Sequence, residues 1–424
     1  MTTTTTPEER RFLQWLTDNG AVFPKLAWPV ATPNGLRGAT ATQDIATGEH
    51  MLCIPRQLLI SEELCWRDPQ LRRVFEDNRD VFARDDPVLA LFVVREMVLG
   101  EGSFFHPYLS TLPYPESVQD WTEDERRALR DKRLEEAAVR RSVEIEVHYR
   151  RVFARLHDKY PGEFPEELYT FDKFKFAWKT IQARTFGRRL PWTALVPFAD
   201  CLNHSNLATK YDFDVDGNGL FRLFPSASTS FAAHTEVFNS YGRRANFHLL
   251  LDYGFALPDN EWDYVDVELA KDRAGPRGRK LRFMRRVIRI DRQSSLDELF
   301  PPAFLAALAD PLPDEEKAAA DIANVELSAL RDALKWLRDV LTETLADWGA
   351  LEEREGDGQL LRKEDLPDRL RAAIVYRVSR RKIVERVLSQ IDSKLAATAA
   401  ATVHGTKALE ADGVVAELKH LSLH

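Results

Sequence analysis

The chain has 424 residues, of which 44% are hydrophobic and 30% charged, with a net charge of −8 and three cysteines. At about 150 residues per domain this length predicts two to three domains, and the apolar and aromatic content excludes global disorder. Cys53, Cys65 and Cys201 are too few and too scattered for a disulfide framework or a four-cysteine zinc site, and the acidic balance argues against generic nucleic-acid binding.

The start, Met-Thr-Thr-Thr-Thr-Thr-Pro-Glu-Glu-Arg-Arg, lacks the basic-then-apolar order of a signal peptide. No apolar run approaches the roughly 18 residues of a membrane span. The longest, Val88 to Val94, ends at Arg95-Glu96. A reducing cytoplasmic or nuclear location, without membrane contact, is therefore expected.

Thr2 to Thr6 reads as a disordered tail, and Pro7 to Asn19 as a short helix with Phe12, Trp15 and Leu16 at helical spacing. From Asn34 to Ser61, Gly35, Gly38 and Gly48 punctuate short apolar stretches that read as small strands. Residues 68 to 182 read as mostly helix. Val88 to Leu99 is an apolar helix, Thr122 to Leu156 one long charged helix, and Phe171 to Phe186 a buried one. Strand texture returns from Ala194 to Leu269, with Tyr211 to Leu220 reading as alternation into a Gly-rich hairpin turn. Beyond Ala270 the chain reads as helical again. The expected fold class is α+β: a tail and helix over 1–19, a β-rich core over 20–269 interrupted by a helical insert at about 68–175, and an all-helical domain over 270–424.

Several features carry less than they first suggest. Asp212, Asp214, Asp216 and Gly217 match half of a calcium loop, but Leu223 stands where a bidentate Glu is required, so a hairpin is the preferred reading. No pair of the ten histidines has metal spacing on one helix face, and no metal is expected. Gly100-Glu-Gly and Gly217-Asn-Gly lack the strand-then-helix context of a dinucleotide site. The basic run Lys271 to Arg292 is either a docking patch for an acidic partner or a solvated bridge, and the solvated reading is preferred.

Two stretches are dense in chemistry-bearing residues: Val196-Pro-Phe-Ala-Asp-Cys-Leu-Asn-His-Ser-Asn206, and Glu236 to Phe255. The second holds two Tyr-Gly pairs, Tyr241-Gly242 and Tyr253-Gly254. Glycine admits close backbone approach, and tyrosine offers an apolar wall with a polar tip. On composition alone, ordinary strand-end turns are as good a reading.

These segments resemble the SET-domain methyltransferases of the Rubisco large-subunit methyltransferase-like branch, through Asp200-Cys-Leu-Asn203-His204-Ser205, Ser240-Tyr241-Gly242 and Leu250-Leu-Asp-Tyr253-Gly254-Phe255. Gly35 to Ile45 followed by Gly48-Glu49, and Trp178 to Arg184 with Phe186, are similar to the branch's opening turn and to the helix leading back into its core. Arg371 to Lys394 is similar to its helical C-terminal substrate-binding domain. The resemblance implies a SET core with a pseudoknot, S-adenosyl-L-methionine as methyl donor, and a protein side-chain nitrogen as acceptor. It implies that Leu36, Arg37, Gly38, Arg184, Asp200, Asn203, His204, Tyr241 and Phe255 hold the cofactor. Tyr241 would be catalytic, and Phe186, Tyr253 and Phe255 would line the acceptor channel. The opening turn has Gly35 where many relatives carry an acidic residue, and Phe231-Ala-Ala-His-Thr-Glu replaces a Gly-containing turn.

Ala199 and Phe186 resemble the lysine-modifying branch, where the histidine-modifying one has Trp and Asn. The expected activity is therefore protein-lysine N-methylation of a non-histone substrate by a monomer, with the substrate docking on both the SET and C-terminal domains. The alternatives are a histidine N-methyltransferase of the same fold and a catalytically silent SET scaffold.

Overall fold

The computed structural model describes residues 5–32, 37–187, 189–215, 217, 219–269, 287–300, 322–349 and 351–404. The chain divides into two units. The first is Met1–Asp120, Glu136–Arg243 and Leu251–Gly254; the second is Trp121–Glu135, Arg244–Leu250 and Phe255–His424.

The first unit opens with the helix Pro7–Asp18. Its start is fixed by a reciprocal capping box: Glu9 N donates to Thr6 Oγ1 at 3.2 Å and Thr6 N to Glu9 Oε2 at 2.8 Å. Thr6 is thus structured, whereas the tail's first residues lie outside the described ones. Among the described residues, nine short strands follow: β1 (Leu26–Ala31), β2 (Arg37–Ala41), β3 (Leu52–Pro55), β4 (Ile60–Ser61), β5 (Thr185–Phe186), β6 (Ala194–Leu195), β7 (Thr209–Phe213), β8 (Leu220–Pro225) and β9 (Glu236–Val237). They form three antiparallel sheets, ordered β1-β2-β9, β3-β8-β7 and β4-β6-β5. In each, a strand before the insert pairs with one after it, as in Ala39↔Val237, Ile54↔Phe221 and Ile60↔Leu195. One core therefore forms from two distant stretches of chain. Strand β1 has no counterpart in the sequence reading, because Pro29 and a register shift between Ala27 and Val30 interrupt its alternation. The β7–β8 hairpin agrees with the sequence reading.

Within the insert, the helix Asp85–Leu99 is buried on all sides over Pro87 to Val94, and it packs on the helix Phe171–Arg184. The single helix expected over Thr122 to Leu156 is two: Glu123–Arg127 and Lys132–Lys159. Arg130 adopts φ 51°, and Asp131 Oδ1 accepts from Arg133 N at 3.0 Å and Leu134 N at 3.3 Å, starting a new helix. The strand texture expected through Leu269 is interrupted by the helix Asn246–Tyr253. A short leucine run fits either period, and here the helix prevails.

The second unit has its own core, in which Val265, Val267, Ile288 and Ile290 pack with Leu334, Leu337, Val384 and Val387. The first four come from strands β10 (Tyr264–Glu268) and β11 (Val287–Asp291), which pair antiparallel. The expectation of an all-helical region after residue 270 is corrected by β11, whose Val-Ile-Arg-Ile-Asp alternation was obscured by the surrounding arginines. The described end of the basic run lies in this strand and its turn. Arg289 is paired there with Asp266, and Arg292 with Asp259; residues 270–286 lie outside the described ones. The long helices are Ile322–Asp347 and Asp368–His404. The insert segment Trp121–Glu135 joins this unit through Asp131, which meets Tyr376 and Arg380, and through Ala128 O, which accepts from Arg377.

Candidate functional site

The expected site residues of the first unit gather where two loops run side by side. One enters through Phe198, whose φ of 72° is costly for a residue with a bulky side chain. Its buried ring stacks on Phe23 at 4.5 Å, and that packing holds the turn. The chain then passes Asp200 and reaches Asn203 and His204. There His204 bridges in parallel to Asn239, and Asn239 N donates to Asn203 O at 2.8 Å. This pairing brings the Asn-His motif beside Ser240, Tyr241 and Gly242.

Tyr241 is fixed at both ends. Its backbone N–H donates to His204 Nδ1 at 3.1 Å, and its phenol donates to Leu202 O at 3.0 Å. The Tyr241 ring contacts two others, stacked on His204 at 4.9 Å and tilted against Tyr253 at 4.9 Å. Burial pushes the phenol's pKa up, against the pull of Arg184, so the hydroxyl stays neutral. Gly242 has φ 97°, and a Cβ there would meet nothing within 4 Å. The turn after Tyr241 is therefore open.

Beneath the stack lies a buried polar cluster. Asp200 accepts from Tyr108 Oη at 2.8 Å and faces Arg184 Nη1 at 3.4 Å, and the same Nη1 donates to Asp200 O at 2.8 Å. Burial pushes the Asp200 carboxyl up, and the guanidinium and phenol pull it back. Arg184 Nε is buried and has no partner among the described residues.

Asn203 closes the far side. Its Nδ2 donates to Glu236 Oε1 at 2.8 Å and to Arg37 O at 3.4 Å. With both acceptors on one side, the amide oxygen must face the other way. Gly38 is required there, since a Cβ would fall 2.8 Å from Glu236 Oε1 and 2.9 Å from Asn203 Nδ2. The Arg37 side chain is occupied elsewhere, with Glu9 Oε1 at 3.0 Å, Thr111 O at 2.9 Å and the Trp28 ring at 5.0 Å. Only its carbonyl faces Asn203.

Arg37, Gly38, Arg184, Asp200, Asn203, His204, Tyr241 and Tyr253 thus share one connected site. Leu36 lies outside the described residues. Phe186 is buried against Tyr211 and Phe221, at 5.1 and 5.2 Å, rather than against Tyr241. Phe255 is half-buried and belongs to the second unit. Sequence reasoning missed Glu236, Tyr108 and the Leu202 carbonyl. Glu236 was visible as a strand-end carboxylate five residues before Tyr241, but nothing in its spacing tied it to Asn203. The site has features that fit a ligand bearing both an amine and an acceptor group: an accessible turn at Gly242, a buried guanidinium with an unused N–H, and an asparagine whose oxygen accepts nothing among the described residues.

The fold is that of the SET domain. It matches the crystal structure of the SET domain of LSMT bound to methyllysine and AdoHcy with a TM-score of 0.67 and 21% identity, over 93% of this chain and 94% of that one. In sequence the chain is similar to the chloroplastic [fructose-bisphosphate aldolase]-lysine N-methyltransferase of Arabidopsis thaliana, 31% identical over 258 residues, which are 58% of this chain and 51% of that protein. It is also similar to the actin-histidine N-methyltransferase of Mus musculus, 25% identical over 269 residues, 61% of this chain and 44% of that protein. The chain thus spans about half the length of the curated relatives it matches. No protein-family model matches it.

Proposed function

We propose that this chain is an S-adenosyl-L-methionine-dependent protein-lysine N-methyltransferase acting on a non-histone protein. The observation that carries the reading is Tyr241. Its neutral phenol is anchored on Leu202 O, walled by Tyr253 and His204, and set beside an open turn.

When bound, the cofactor supplies an activated methyl on a sulfonium. What remains for the chain is alignment, which lowers such barriers by as much as about 7–11 kcal/mol in the best cases. Asn203 Oδ1 would accept from an amino group of the donor, with Glu236 holding the amide in that sense. Arg184 and Asp200 would complete the polar shell, and the Arg37 and Gly38 backbones would border it. Leu36 and Phe255 keep the cofactor-binding roles that the resemblance gives them. The Tyr241 hydrogen is committed to Leu202 O, so towards the incoming amine its oxygen would act as an acceptor. That oxygen and the Leu202 carbonyl together would favour a polarised methyl. Desolvation in the channel, with the donor's positive charge nearby, would disfavour an ammonium and so favour the neutral, nucleophilic lysine.

The small buried Ala199 supports lysine over histidine as acceptor. The decisive experiment is mass spectrometry of a proteome incubated with the chain and isotopically labelled S-adenosyl-L-methionine. Label on lysine is expected. Label on histidine alone would move the assignment to the histidine alternative. Failure to bind the cofactor at millimolar concentration in calorimetry would leave a silent scaffold. We also propose a cytoplasmic or nuclear location for a monomer, supported by three free thiols and open to fractionation and light scattering.

A further inference from the structure

Lys179 sits on the helix Phe171–Arg184 and is 2% exposed. None of the roles above uses it, and burying an ammonium is costly unless it is paired. Its Nζ pairs with Asp120 and donates to Ser117 Oγ at 3.2 Å. Asp120 gathers further groups: Ser117 N donates to it at 3.0 Å, Tyr114 Oη at 2.9 Å, and Lys175 Nζ stands at 3.3 Å. The segment Tyr114 to Asp120 is thus wrapped around one buried charge. Burial pulls the Lys179 pKa down, while Asp120 opposes it.

The other side of this segment meets the turn that carries Tyr253. A Cβ on Gly254 would lie 2.6 Å from Glu116 O and 3.1 Å from Ser117 Cα, and Gly254 has φ 79°. Gln119 Nε2 donates to Leu251 O at 3.2 Å. The turn is therefore seated directly on the Glu116–Ser117 backbone. Tyr253 lies between these two contacts, with its ring 4.9 Å from that of Tyr241.

We propose that Lys179 is a positioning residue for the acceptor channel. It fixes the Glu116-to-Asp120 segment as a seat for the Leu251–Gly254 turn, and so sets where Tyr253 stands against Tyr241. This rests on the methyltransferase reading. Under it, the Tyr253–Tyr241 spacing governs the room for an amine that already bears methyl groups. Lys179 thus acts on product state without touching substrate or cofactor.

The test is hydrogen exchange on the full chain, read at Leu251 to Gly254 and, as internal reference, on the helix Asp85–Leu99. Lys179→Met should speed exchange in the turn about tenfold and leave the reference within about twofold, as the loss of one charge-assisted hydrogen bond does to a local opening. Gln119→Ala removes the direct link to Leu251 and should act in the same direction; it decides the matter if Lys179→Met does not fold. With a proteome and labelled S-adenosyl-L-methionine as probe, Lys179→Met should shift the ratio of mono- to multiply methylated lysine a few-fold, with calorimetric cofactor affinity retained. Unchanged exchange in the turn, an equal rise in both segments, or faster exchange with an unshifted methyl ratio would each overturn the proposal. If the unmodified chain methylates nothing, the methyltransferase reading falls, and the exchange data still decide whether Lys179 seats the turn.

Discussion

Tyr241 has its only hydroxyl hydrogen committed to Leu202 O, and its phenol is held neutral by burial. Tyr241→Phe should therefore lower turnover by roughly 10²-fold, comparable to the loss of one preorganised polar contact in an active site. Cofactor affinity, measured by calorimetry, should change little. Because the phenol's pKa lies above that of an ordinary tyrosine, the ultraviolet difference spectrum between the chain and Tyr241→Phe should show no phenolate from this residue up to about pH 10. A rise in rate with pH below that point then does not come from ionisation of Tyr241. Glu236 offers a different test. A carboxylate accepts only, so it forces the Asn203 NH2 toward itself; an amide in its place allows Asn203 to turn over. Glu236→Gln should weaken cofactor binding about tenfold, the scale of one charged hydrogen bond, with little loss of thermal stability.

The break at Arg130 to Asp131 makes two elements of an expected one. Asp131 caps the helix Lys132–Lys159 and, within the second unit, faces Arg380 and Tyr376. Truncating it leaves a largely buried guanidinium without its carboxylate, which typically costs about 3–5 kcal/mol. Asp131→Ala should lower the urea-unfolding free energy by that order, and Asp131→Asn, which preserves the cap, by less. The break could not be read from composition, because Asp within a charged helix and Asp at a helix start look alike in a single sequence. The same ambiguity hid the helix Asn246–Tyr253: its start is fixed by Asp263, which accepts from both Asn246 N and Asn246 Nδ2 at 3.0 Å, seventeen residues away.

Each unit has its own hydrophobic core, and the gathered residues proposed to hold the cofactor, Arg184, Asp200, Asn203, His204 and Tyr241, all lie in the first. S-adenosyl-L-methionine should therefore raise the unfolding temperature of that unit, with about 2.7 kcal/mol of stabilisation at a hundredfold excess over Kd. Calorimetry in which the cofactor shifted only the other unit's transition would contradict the site assignment. What was legible in the sequence follows this division. The motif stretches were legible because Asn-His-Ser and Tyr-Gly bring rare residue types together at short spacing. The hairpin and the apolar helix were legible because their periodicity is local. Strands β1 and β11 were not, since a proline interrupts the alternation in one and arginines mask it in the other. Glu236 and Lys179 were not, because a single charged residue acquires meaning only from partners that the fold brings to it.

The three sheets of the first unit all close across the insert, and β2 must wait for β9. A ribosome adding about 5–20 residues per second needs roughly 10–40 s to travel from one to the other. For that interval the nascent chain displays an unpaired edge and half a core. Synthesis is thus a stage at which this fold, whatever its finished stability, presents surface on which aggregation can start.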